Sequence, residues 1–302
     1  MSKQFLCIDV GGTNIKYALL DRKGQVVSQD KCATPLTGLA DFLTVVQDIV
    51  DGYTGAYQGL AFSVPGRVDH ENERIHGGGL LTFLDQQILP DLIQVADDIP
   101  ITVENDAKAA VQAEMWLGNL QDVTNGAAVV LGSGVGSGIV LNHQLLTGSH
   151  FQAGEVSFML QDQALDINSF SGAHGSAVGM IKKIAKALQL PDLTDGEAVF
   201  TAIQQHNAKA TAIFQEFCHD VAVLINNMQA VLDLERYVIG GGISAQPIVA
   251  QTIKIEYQKL REKLPILATT LTQPEIVTGK FQNDANLCGA LYHFLQVNTA
   301  LN

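Results

Sequence analysis

Apolar and polar positions alternate through Ile8–Val10 and again from Ile15 to Leu20, on either side of a Gly11-Gly12-Thr13 corner. The pattern predicts a β-hairpin whose tip carries no side-chain bulk. It recurs where Ala127–Leu131 runs into Gly132-Ser133-Gly134-Val135-Gly136-Ser137-Gly138 and leaves through Ile139-Val140-Leu141. Between the hairpins the spacing predicts a third strand near Gln25–Lys31, a helix over Gly38–Val50 and a strand Gly59–Val64 that ends at Pro65-Gly66. A helix over Asp85–Ala96, a strand Ile101–Glu104 and a helix Ala107–Leu117 follow. The turn-rich Gly118–Gly126 stretch is the expected boundary between an N-terminal domain, 1–118, and a C-terminal domain, 119–302, whose last helix has the option of packing back on the first. Beyond the second hairpin the chain reads as mostly helical. Thr194-Asp195-Gly196-Glu197 has the form of a capping box, and Ala208–Leu232 places Ile213, Phe217, Val221, Leu224, Ile225, Met228 and Leu232 on one face. A strand Tyr237–Ile239 then meets Gly240-Gly241-Gly242, and helices are expected to the end.

Two glycine-tipped hairpins suggest chemistry as well as shape. Glycine lets backbone N–H groups approach an anion closely, and Asp9 and Thr13 beside the first tip suit a metal ion and a phosphate oxygen. The pair suggests a duplicated α/β nucleotide-binding fold with a polyphosphate held between its halves. With 302 residues and 47% hydrophobic content, the chain can bury the cores of two domains. Its net charge of −13 argues against nucleic acid, yet leaves a nucleotide open because a local nest of backbone donors needs no basic surface. Cys7, Cys32, Cys218 and Cys288 lack ligand spacing, and Cys7 reads as a buried reduced thiol in a strand. With no signal-peptide pattern and no segment of membrane-spanning length, a cytoplasmic soluble protein is the default.

Three motifs admit two readings each. The alternating glycines of Gly132–Gly138 partly satisfy a dinucleotide-binding fingerprint, but a strand follows them where that fingerprint requires a helix. Gly240–Gly242 is either a strand-to-helix connection or a backbone surface flat enough for a ribose and base. In Glu104-Asn105-Asp106-Ala107, Asn or Asp is a natural N-cap, while a carboxylate at a strand end could instead take a proton from a hydroxyl attacking phosphorus. A division in which Asn105 caps and Asp106 does chemistry stays open. His219, beside Asp220 in a long helix, reads as structural.

Together these segments resemble the ROK family (repressor, open reading frame, kinase). Asp9–Lys16 resembles its first phosphate motif, Leu131–Gly138 its second, Val103–Ala109 the segment of its catalytic aspartate, Ala153-Gly154-Glu155 its sugar-binding Gly-Glu, and Gly240–Ser244 its adenosine motif. The resemblance implies the actin-like ATPase fold, two α/β domains around a cleft, with ATP, Mg²⁺ and a hexose as substrates and a homodimer as the usual assembly. It implies that Asp9 holds Mg²⁺ through water, that Gly11, Gly12, Thr13, Lys16, Gly132, Ser133 and Gly134 attend the phosphates, and that Gly241 and Gly242 border the adenosine. Gly66, Asn105 and Glu155 would meet the sugar, with Asp106 as general base.

The departures matter as much. The family's zinc-binding His falls on Phe158, and its Cys-x-Cys-Gly-x-x-Gly-Cys-x-Glu motif aligns with Ser169–Val178, so three thiolate ligands become Ser169, Ser171 and Ser176. Serine does not replace Cys S⁻ at a structural zinc site, so no zinc is expected and His174 is a leftover loop histidine. Phe158 and Val178 also replace polar groups that contact the anomeric end of the sugar. A pocket tolerant of a substituent there suits a β-glucoside or disaccharide, with glucose the conservative alternative. ROK repressors place a helix-turn-helix region ahead of the kinase-like part, and this chain opens on the first phosphate strand, so DNA binding is not expected. A non-catalytic sugar sensor would show loss of Asp9, Asp106 or the glycines, and none is lost.

Overall fold

The computed structural model describes residues 4–96, 99–281 and 284–298. The chain opens with β1 (Gln4–Val10), β2 (Asn14–Asp21) and β3 (Val26–Ala33), followed by α1 (Leu39–Gly52), β4 (Leu60–Val64), and a small hairpin of β5 (Arg67–Asp69) and β6 (Arg74–His76). After the single turn α2 (Leu89–Leu92) come β7 (Ile101–Asn105), α3 (Asp106–Leu117), β8 (Gly126–Leu131), β9 (Val135–Leu141) and β10 (Gln144–Leu145). Helices α4 (Ser171–His174), α5 (Ala177–Ala187), α6 (Gly196–Gln204) and α7 (Ala208–Leu232) precede β11 (Arg236–Gly240). The rest is α8 (Pro247–Lys263), α9 (Pro265–Thr270), β12 (Glu275–Thr278) and α10 (Ala285–Val297).

Two compact units result. The first comprises the described residues of Met1–Gln121, Leu145–Ala153 and Asp284–Asn302, the second those of Asp122–Gln144 and Gly154–Asn283. Five-stranded sheets of matching pattern run in the orders β3-β2-β1-β4-β7 and β10-β9-β8-β11-β12. In each, an antiparallel hairpin (β1 with β2, β8 with β9) adjoins parallel crossover strands, so the duplicated hairpins head duplicated sheets.

The first sheet is covered on both faces, and the period-2 alternation of β1 shows how. Leu6, Ile8 and Val10 join Phe42 and Val46 of α1 in one core, while Phe5 and Cys7 point to the other face and meet Leu287, Leu291 and Phe294 of α10. The Phe5 and Phe294 rings lie 5.3 Å apart. Cys7 is wholly buried, and its burial pushes the thiol far up, as expected of an inert core cysteine.

Three predicted elements change. Asp85–Ala96 is not a helix: a 3₁₀ turn covers Thr82–Leu84 and only Leu89–Leu92 is α-helical. Pro90 is tolerated in a first turn and lacks the N–H that an earlier start requires, and the Asp85 carboxylate accepts from Gly77 N (2.8 Å) instead of capping a helix. At α6 the cap is Asp195, which accepts from Ala198 N at 2.9 Å, while Thr194 turns its hydroxyl to Asp192. The chain also does not stay helical to its end. The short edge strand β12, with only Ile276 buried, carries too little alternation to be read from sequence.

Candidate active site

In the first unit, Gly11–Asn14 forms the tip of the β1–β2 hairpin. Gly11 N donates to Asn14 O (3.0 Å), and the Thr34 hydroxyl and amide pin the tip from β3's end through Gly11 O (2.6 Å) and Thr13 O (3.0 Å). Asp9, almost wholly buried at the end of β1, faces Lys16 across the hairpin and Ser63 across the β1–β4 pair. Ser63 Oγ (3.0 Å) and Asn286 Nδ2 of α10 (2.9 Å) both donate to Asp9 Oδ1. Burial pushes this carboxyl up, and the Asn286 bond, the Lys16 charge and the Ser63 bond oppose it. One buried carboxylate beside a glycine tip fits Mg²⁺, which takes oxygen ligands, keeps waters and shares itself with phosphates.

The strand-to-helix junction β7–α3 brings together three of the sequence candidates. Asn105 is the N-cap of α3, its Oδ1 accepting from Lys108 N at 3.0 Å. Its Nδ2 donates to Gly66 O (2.8 Å) and to Asp106 Oδ1 (3.0 Å), so one carboxamide links Gly66, Asn105 and Asp106. Asp106 Oδ1 also accepts from Ala107 N at 2.7 Å. Asn105 is the cap, and Asp106 sits one residue into the helix, half-buried. Gly66 must be glycine, because its φ is +91° and a Cβ would meet Gly78 N at 2.5 Å. Gly77-Gly78-Gly79, all at positive φ, closes over it and was not singled out in sequence, although three consecutive glycines are a readable signal of close backbone approach.

In the second unit, the Gly132–Gly134 tip closes through Gly132 N to Gly134 O (3.0 Å). A cavity of about 710 Å³ is lined by Gly132 and Gly242 together with Val178, Glu197, Phe200 and Gln246. Gly241 sits at φ +90°, where a Cβ would run into the Leu131 carbonyl, so this glycine lets the Gly240–Gly242 turn lie directly on the end of β8. Sequence grouped Val178 with the sugar. The structure places it in this cavity, its amide donating to Gly132 O at 3.2 Å. Glu155 opens a 3₁₀ turn, Val156–Phe158, whose last residue Phe158 is 68% exposed.

The serines aligned with the family's thiolates all spend their hydroxyls on hydrogen bonds. Ser169 Oγ donates to Asp162 (2.6 Å), Ser171 Oγ to Met159 O (3.0 Å), and Ser176 Oγ to Ser133 O (2.7 Å) while capping α5 through Gly179 N. Hydroxyls committed in this way are a poor donor set for zinc. His174 lies on the turn α4, not in a loop, and its Nδ1 is 2.9 Å from Asp220 Oδ2. His219 is exposed, as expected of a structural residue.

The ROK family profile matches residues 5–297. The chain belongs to the ROK family. A beta-glucoside kinase of Listeria monocytogenes serovar 1/2a is 28% identical over 295 residues, covering 95% of this chain and 96% of that protein. An N-acetylmannosamine kinase of Haemophilus influenzae is 29% identical over 299 residues, covering 95% and 94%. Among solved structures, a ROK family glucokinase from Streptomyces griseus in complex with glucose and AMPPNP is 21% identical with a TM-score of 0.81, covering 95% of this chain and 98% of that one. The fold is that of the actin-like ATPases. Among the described residues no helix is long and apolar enough to cross a membrane.

Proposed function

We propose that this ROK-family chain is an ATP-dependent sugar kinase. The observation that carries the reading is the Asn105 carboxamide, which ties Gly66 to Asp106 and leaves the carboxylate beside a group suited to sugar hydroxyls. Asp106 accepts the proton of a sugar hydroxyl, taken as O6 of a hexose. The oxygen forms a bond to the γ-phosphorus, the bond from that phosphorus to the β–γ bridging oxygen breaks, and ADP leaves. Lys16 and the backbone of Gly11, Gly12 and Thr13 attend the phosphates, as do Gly132, Ser133 and Gly134. Gly241 and Gly242 border the adenosine, a role supported by the cavity beside them. Asp9 would hold Mg²⁺ through water, and the ion when bound would neutralise phosphate charge. Glu155 joins Asn105 and Gly66 in binding the sugar, whose analogues are rejected when fixed polar partners go unpaired.

On this reading the acceptor carries a substituent at its anomeric end. Phe158, exposed at the end of the 3₁₀ turn that Glu155 opens and edge-on to Phe170 at 6.0 Å, is an apolar neighbour for an aglycone or second sugar. The β-glucoside kinase among the relatives supports this substrate class, and the N-acetylmannosamine kinase supports a free monosaccharide. Steady-state kinetics on cellobiose, methyl β-glucoside, glucose and N-acetylmannosamine separate the two. Higher kcat/KM is expected for the substituted sugars, and a strong preference for a free monosaccharide would overturn the assignment.

A further inference from the structure

The end of β7 rests on a buried carboxylate. Glu104 has no exposed surface; His70, Gln112 and the Asn105 amide hydrogen-bond it, and His293 stands at ion-pair distance. His70 Nε2, just after β5, is 3.1 Å from Oε1, and His293 Nδ1 on α10 is 3.4 Å from Oε2. Gln112 Nε2 of α3 donates to Oε2 at 2.7 Å, and the amide of Asn105 donates to Oε1 at 2.8 Å. The two imidazoles lie with centroids 4.9 Å apart and planes tilted by 34°, and the Phe151 ring lies 5.4 Å from His70. Two other charged groups face the cluster: Glu73, which accepts from Val103 N at 3.0 Å, and Lys108, whose Nζ donates to Phe151 O at 2.7 Å.

Two histidines and a carboxylate within 4.8 Å of one another also satisfy the count for a metal site. The geometry points elsewhere. Each imidazole lies nearest a different carboxylate oxygen, at 3.1 and 3.4 Å, whereas metal ligands converge on one point. Hydrogen bonds to an ionised buried carboxylate are strong and directional, and they fix the one backbone amide that also belongs to the β7–α3 turn.

We propose that His70 and His293 are positioning residues for the phosphoryl-acceptor side. Acting through Glu104, they lock the turn that presents Asn105 and Asp106. The clamp joins the Gly66 strand connection, the end of β7 and α10 into one rigid support. The inference rests on the reading of Asn105 as a sugar ligand and Asp106 as general base.

Paired variants test it: His70→Leu and His293→Leu delete the imidazoles facing Glu104, while His70→Gln and His293→Asn keep an N–H near Nε2 and Nδ1 respectively. Small misplacements of reacting groups cost about 100-fold. Each Leu variant should therefore lose roughly 100-fold in kcat/KM for the sugar while KM for MgATP stays within about twofold, and each donor-keeping variant should recover most of the loss. Equal damage to both substrates, or Gln and Asn variants no better than Leu, would overturn the clamp. A second readout does not depend on turnover. Exchange of the Asn105 amide, followed by NMR, should quicken by at least about tenfold in His70→Leu and return toward wild type in His70→Gln, as expected for loss of about 1.4 kcal/mol of protection. Unchanged exchange refutes the clamp whether or not the protein phosphorylates a sugar, and absence of wild-type sugar kinase activity counts against the function reading alone.

Discussion

Asn105 and Asp106 differ by one residue along the chain and by their whole role. The carboxamide has both an acceptor for the helix end and donors for its neighbours, so it caps and ties, while the carboxylate, acceptor only, is suited to take a proton. Glu104, immediately before them, shows a buried charge stabilised by its partners. Burial alone would push its carboxyl up, but the His70 hydrogen bond, the charges of His293 and His70 and the Asn105 amide bring it down to about 2. A carboxyl held below its ordinary 4.5 contributes stability that is present above pH 4.5 and lost as pH falls toward 2. Denaturant unfolding should therefore show Glu104→Gln less stable than wild type at pH 7, with the gap narrowing at pH 3. A gap that widens in acid would contradict the clamp's charge state. The Asn105 cap was among the readings open in sequence because Asn or Asp at a strand-to-helix junction is a natural N-cap. The histidines around Glu104 were not, since they come from a strand end and a helix far apart in sequence and join only when α10 docks on the sheet.

At the scale of elements, alternation and helical spacing read well where an element has two clear faces. Ala208–Leu232 is α7 to the residue, and five of the seven residues expected on its face (Phe217, Val221, Leu224, Ile225, Met228) are fully buried, with Ile213 and Leu232 partly so. Where local chemistry overrides periodicity, reading fails: a proline and a competing carboxylate undo the helix over Asp85–Ala96, and β12 is too short to show a period. The best example of an element decided by tertiary packing is α10, which covers the second face of the first sheet. Its Phe294, wholly buried against Phe5, should cost about 3–5 kcal/mol when cut to Ala, read as a fall in urea midpoint. A loss under about 1 kcal/mol would mean that this face is not a cohesive core.

Across the whole molecule, a hairpin followed by parallel crossovers appears twice, and each copy sets a glycine tip at the head of a five-stranded sheet. The duplication was visible as two glycine corners and the packing back of the last helix as an option, whereas the return of Leu145–Ala153 to the first unit was not, because no local pattern encodes which sheet a short segment will join. In the second unit the hydroxyls of Ser169, Ser171 and Ser176 are committed to hydrogen bonds, a poor donor set for zinc. Elemental analysis of the purified protein should find less than a stoichiometric amount of zinc, and a full equivalent retained through chelator dialysis would contradict that assignment. Sugar-dependent ADP release reports directly on phosphoryl transfer to a sugar with Asp106 as base. Wild type should release ADP only when an acceptor sugar is present, and Asp106→Asn should lower kcat by about 100- to 10,000-fold. Equal, sugar-independent turnover in wild type and variant would contradict the account.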